Sequence, residues 1–235
     1  MAHAHLELTL LPLRLRSRAG ALLLALAAAS GSLRAALPAD IVAPSYQLSL
    51  AQDEAWRTLF QTLANQGGIH SQFEEFRFLP IRKTPIILTG EMRLSPEHGL
   101  SLHYLKPEES RVIIDSRGIL LRDARGRSRD VGSDPRARGA TGTLLQVLRF
   151  DLAVLERDFT LYGAREGIAW KVVLEPKPEA IAQDTSLGRI IIHGQEEAVL
   201  LIELRRSDRQ RIEIHVGDTR IGVSFSPEEL SAYFR

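Results

Sequence analysis

The chain has 235 residues, 44% of them hydrophobic and 25% charged, enough for one globular domain with a sizeable core. Its formal net charge of +1 gives no global electrostatic reason to bind nucleic acid. It has no cysteine, which excludes a disulfide framework and a lipid-modified N-terminal cysteine and leaves stability to the core.

Arg14, Arg16 and Arg18 precede an apolar run from Ala19 to Ala29 that ends in Ser30-Gly31-Ser32. The run is too short to span a bilayer comfortably, which takes about 20 apolar residues. Leu33-Arg34-Ala35-Ala36 offers small residues for cleavage. Residues 1–36 read as a secretory signal peptide, so the chain is expected to be exported. An uncleaved membrane anchor and a buried N-terminal helix compete with that reading. Residues 1–35 carry four basic side chains and one acidic one, so cleavage leaves 26 basic against 28 acidic groups and a net charge of −2.

Residues 37–52 read as an extended linker, followed by a domain over 53–235. Ala55, Trp56, Leu59, Phe60 and Leu63 recur at three- and four-residue steps, which predicts an amphipathic helix over about residues 52–66, stopped by Gly67-Gly68. The period then changes. Short β-rich runs at 73–79, 86–94, 100–105 and 111–115 are separated by turn residues, as in consecutive hairpins. Residues 123–142 are polar and read as a solvated loop, with Arg122, Arg125, Arg127 and Arg129 at a hairpin tip. That patch has an anionic surface, lipid headgroups or an acidic protein, as its other reading.

Helical spacing returns in Leu144, Leu145, Val147, Leu148, Leu152 and Leu155, which predicts a second helix over about 143–157. Further strands are expected at 159–163, 168–174, 189–193, 199–204, 211–216 and 220–225. About ten strands and two main helices predict a mainly β fold, a single strongly curved antiparallel sheet or open barrel rather than a flat sheet.

Motifs for chemistry are sparse. No nucleophile elbow, metalloprotease helix, phosphate loop or dinucleotide fingerprint occurs, and no catalytic residue, cofactor or metal is assigned. Glu213 and His215 share a strand face but lack a third ligand at recognisable spacing. Glu74 and Glu75 are adjacent in a strand and point to opposite faces, so they do not form an acid–base pair. Gly139 to Gly142 could offer an anion site ahead of the second helix, against a plain loop-and-cap reading.

Gln72-Phe73-Glu74-Glu75-Phe76-Arg77-Phe78-Leu79, Ile86 to Leu94, Pro96, Gly99-Leu100, Lys106-Pro107 and the turn from Asp115 to Gly118 together resemble the N-terminal half of the outer-membrane lipoprotein carrier family, LolA and its relatives. Trp170-Lys171-Val172-Val173-Leu174-Glu175-Pro176-Lys177 resembles a later strand that the family ends in Leu-x-Pro-Lys. The similarity runs over roughly residues 53–226. It implies an incomplete antiparallel β-barrel whose concave face is closed by helices, and a monomeric, non-enzymatic periplasmic carrier that takes acylated lipid or lipoprotein cargo between sheet and helices, with inner-membrane donor and outer-membrane acceptor proteins as partners; the near-neutral charge argues for no nucleic acid as partner.

The implied sheet residues are Phe76, Phe78, Met92, Leu94, Leu102, Tyr104, Trp170 and Val172; Leu148, Leu152 and Leu155 would form the lid. The same residues fit a filled core, and a non-transporting envelope sensor or assembly protein of the same fold is the alternative. The chain departs from the family at Ser95, where an arginine is implied to hold the lid, and at Leu102, where a tryptophan is usual.

Overall fold

The computed structural model describes residues 37–131, 135–182 and 188–235; the expected signal peptide lies outside the described residues. Alternating apolar and polar side chains build eleven strands: β1 (Ile69–Phe78), β2 (Ile86–Ser95), β3 (Gly99–Lys106), β4 (Ser110–Asp115), β5 (Gly118–Asp123), β6 (Ser128–Asp130), β7 (Phe159–Glu166), β8 (Ala169–Pro176), β9 (Arg189–Gln195), β10 (Ala198–Ser207) and β11 (Gln210–Ile221). They form one antiparallel sheet in the order β6-β5-β4-β3-β2-β1-β11-β10-β9-β8-β7. Pairing of β1 with β11 joins the two halves of the chain, and β6 and β7 remain as separate edges. The fold is the expected incomplete barrel.

Two strand expectations change. The runs at 211–216 and 220–225 are parts of a strand that ends at Ile221, and the hairpin β5–β6 occupies the start of the expected loop. Asp123 to Arg127 form its tip, as expected for the arginine-rich stretch.

The helices are α1 (Glu54–Ala64), α2 (Pro135–Leu148), α3 (Leu152–Asp158), α4 (Pro178–Ala182) and α5 (Pro227–Tyr233). The helix expected over 143–157 is two helices. Phe150 adopts φ 52°, and the Asp151 carboxylate accepts from the backbone N–H groups of Ala153 and Val154 at 3.1 and 3.2 Å. An aspartate is favoured at a helix start over a helix interior, so the chain breaks there despite the continuous apolar spacing. Gly139 to Gly142 lie inside α2, so no helix N-terminus faces outward at that point.

Residues 37–52 are not a free tether. Ile41 is fully buried with Ala164, Val173 and Ile191 on the convex face. The segment then rounds the β7 edge, where Leu48 N–H donates to Leu161 O at 2.8 Å, and delivers Leu50 to the concave side. Covering this edge shields one that another chain could extend. The Lys171 ammonium, whose pKa burial pushes down, donates to the carbonyls of Pro38 and Ala39 at 3.2 and 2.8 Å.

Candidate functional site

Strand parity sorts the side chains. Leu94, Met92 and Leu88 on β2 lie opposite Ile69, Ser71 and Glu75 on β1, and Leu100, Leu102 and Tyr104 continue the row on β3. This concave side is lined by two apolar clusters. One gathers Phe73, Met92, Leu94, Leu100, Leu102, Tyr104 and Ile114 beneath Leu145 of α2. The other gathers Trp170, Val172, Leu174, Ile190, Ile192 and Ile202 beneath α1, Val147 and Leu155. Leu148 and Ile214 touch both clusters.

Of the residues named from sequence, Met92, Leu94, Leu102, Tyr104, Leu148, Leu152, Leu155, Trp170 and Val172 join these clusters. Phe76 and Phe78 do not. Phe73 and Glu75 fix the inward parity of β1, so the even positions point to the convex face, where Phe76 meets the His215 ring at 5.1 Å and Arg211 covers Phe78 at 3.7 Å. Trp56, Leu59, Phe60 and Leu63 of α1 are buried in the second of these clusters as well. The same three- and four-residue spacing that predicts the helix carries their signal.

Both tryptophans sit over glycines. A Cβ at Gly163 would lie 2.6 Å from the Trp56 ring, and one at Gly194 would lie 2.0 Å from the Trp170 ring. Trp170 also donates its indole N–H to Glu196 O at 2.7 Å. The indole pocket thus depends on missing side chains in the neighbouring strands.

A polar triad, Glu75, Arg77 and Tyr104, interrupts the concave face. Tyr104 donates to the Glu75 carboxylate at 2.7 Å, and Arg77 pairs with the same carboxylate and reaches the Tyr104 oxygen at 3.2 Å. Burial, then the Glu75 charge, pushes the phenol well above its ordinary range, so it remains a donor. Each member has a partner, so the triad anchors the sheet and offers no free base.

The clusters consist of buried side chains packed on one another. Two surface depressions, of about 470 and 530 Å³, lie beside α1 at Gln61, Asn65 and Glu197, and on β1–β3 and β11 at Glu74, Thr89, Lys106 and His215. His215 stands 3.7 Å from Glu213, and among the described residues no third His, Cys, Asp or Glu completes a metal site.

The family model described as outer membrane lipoprotein carrier protein LolA-like matches residues 49–218. This chain belongs to that family. Members of the LolA-like family are binding or carrier proteins rather than enzymes. Solved structures similar to this chain include a LolA superfamily protein from Nitrosomonas europaea, at 6% identity and TM-score 0.38, covering 74% of this chain and 96% of that one. LprF from Mycobacterium bovis matches at 12% identity and TM-score 0.40, over 77% and 97% of the two chains. The Pseudomonas aeruginosa MucA/MucB complex matches at 13% and TM-score 0.42, over 75% of this chain and 59% of the other. No curated protein gives a significant match. Among the described residues no helix is long and apolar enough to cross a membrane.

Proposed function

We propose that this LolA-like chain is exported, loses residues 1–36, and works in the periplasm as a monomeric carrier of acylated lipid or lipoprotein cargo, passing it from an inner-membrane donor toward an outer-membrane acceptor. The observation that carries the reading is the construction of the concave face. An open sheet presents two apolar clusters, and a separate two-part lid, α2 and α3, carries at the end of α2 a residue that packs on both of them, Leu148. The break at Phe150–Asp151 gives the lid a joint. Moving α2 and α3 outward would replace lid side chains by acyl methylenes, each worth about 0.8 kcal/mol when buried.

The test is binding of a fluorescent fatty-acid probe. Leu148→Glu should abolish binding while the far-ultraviolet dichroism is unchanged, and Ile87→Glu on the convex face should bind normally. Equal binding by wild type and Leu148→Glu would overturn the reading.

The mutual packing of the buried side chains in both clusters favours a second reading, a non-transporting envelope sensor or assembly protein that works through its loops. In that case Arg125→Ser with Arg127→Ser loses a protein partner with lipid absent, and an unchanged partner set excludes it.

A further inference from the structure

An antiparallel sheet sends alternate turns to opposite ends, and at one end of this sheet two adjacent turns are rich in cations. The β1–β2 turn carries Arg82 and Lys83, and the β10–β11 hairpin carries Arg206 near the end of β10 and Arg209 in its turn. The register Phe78↔Arg211 makes those turns neighbours. Asp208 in the second turn lies 3.8 Å from Arg205, and the β3–β4 turn, further along the same end, carries Glu108 and Glu109.

The basic end also holds Ile81, which is 92% exposed at the tip of the β1–β2 turn. Water is a poor environment for that side chain, and nothing in the fold uses it. Among the described residues Arg82, Lys83, Arg206 and Arg209 make no ion pair, whereas Arg127 on the β5–β6 tip is neutralised by Asp123 at 2.6 Å.

We propose that this end of the sheet docks on an anionic lipid surface, with Ile81 entering the bilayer and the four cations meeting lipid phosphates. One protruding aliphatic residue with cations in its own and the adjacent turn matches the interfacial boundary of a bilayer, where apolar burial and attraction to anionic headgroups add. A protein partner of comparable strength needs a broad buried centre, which a single isoleucine does not provide. The inference does not depend on the cargo reading, because it involves neither apolar cluster.

The absence of cysteine makes a site-specific test clean. Ile81→Cys and Ile168→Cys, the latter at the opposite end, are prepared in the full chain and labelled with a polarity-sensitive dye. Each is then mixed with vesicles of phosphatidylcholine alone or phosphatidylcholine with phosphatidylglycerol. The expected result is a blue shift at position 81 with the anionic vesicles alone, weakened by added salt, and none at position 168. Adding Arg82→Glu and Lys83→Glu should lower the apparent vesicle affinity read at position 81 by at least about tenfold. No shift at 81, a shift only at 168, or equal shifts with both vesicle types would overturn the proposal. An acidic protein that binds Arg82 and Lys83 while anionic vesicles leave the dye unchanged would overturn it as well. Thermal unfolding of each variant confirms that the fold is retained.

Discussion

A guanidinium nitrogen of Arg149, just after α2, lies 3.5 Å from the backbone oxygen of Ser95 at the end of β2. Ser95 occupies the place of the arginine that the family resemblance implies on the strand side. Its hydroxyl instead accepts from the backbone N–H groups of Glu97 and His98 at 3.3 and 3.1 Å, so it shapes the turn. The lid-to-sheet contact therefore comes from the lid. A hydrogen bond of this length is weak. Arg149→Met should cost less than about 1 kcal/mol of global stability yet speed amide exchange over residues 148–155. Hydrogen exchange read by mass spectrometry checks this, and unaltered exchange would show that Arg149 does not restrain the lid.

The contact between Trp170 and Gly194 predicts a large effect from a small change. A methyl group at Gly194 would stand 2.0 Å from the indole ring, so Gly194→Ala must displace Trp170 or the strand. The expected cost is roughly 1–3 kcal/mol in denaturant unfolding, with a red-shifted tryptophan emission as the ring leaves its pocket. A variant with wild-type stability and emission would contradict the packing described.

Glu203 predicts the acid limb of stability. Its carboxyl is held at about 2 by His193 first and then Arg205, against the opposing effect of burial. A folded-state pKa below the unfolded one stabilises the protein above the unfolded value, near 4.5, and that stability is lost as pH falls toward about 2. The loss should be on the order of 1–2 kcal/mol after solvent screening. Asp115 shifts in the same direction: burial raises it, but hydrogen bonds from Arg235 and Arg117 outweigh that effect. Unfolding curves between pH 5 and about 2 should be flatter for Glu203→Gln than for wild type; parallel curves would remove Glu203 from the account.

On the convex side α5 brings the Tyr233 ring 3.6 Å from the Arg93 guanidinium, and Phe234 is 1% exposed against Phe225 and His98. Phe234→Ala should cost roughly 3–5 kcal/mol, as for a core phenylalanine. A loss below about 1 kcal/mol would mean that α5 is not docked.

Much of this architecture is legible in the residues. The apolar spacing of Trp56 to Leu63 specifies α1, and the alternation in β8 puts Trp170, Val172 and Leu174 on the concave face. Parity in β1 is not legible, because Phe73, Phe76 and Phe78 offer apolar residues to both faces, and only the pairing with β2 and β11 decides between them. The helix break at Asp151 is hidden because Leu148, Leu152 and Leu155 keep helical spacing across it. The docking of residues 37–52 is hidden too, since Ile41 and Leu50 are isolated in a stretch with no period. Nor does the sequence show that Gly163 and Gly194 make room for the two indoles, which depends on register across three strands.

The central claim, that the concave face holds acylated cargo, is tested most directly by native mass spectrometry of the protein purified from an envelope fraction, followed by organic extraction. The account predicts a protein mass increased by a ligand that solvent releases as an acylated lipid or lipoprotein. A single ligand-free mass, persisting after acylated lipid is offered, would contradict it.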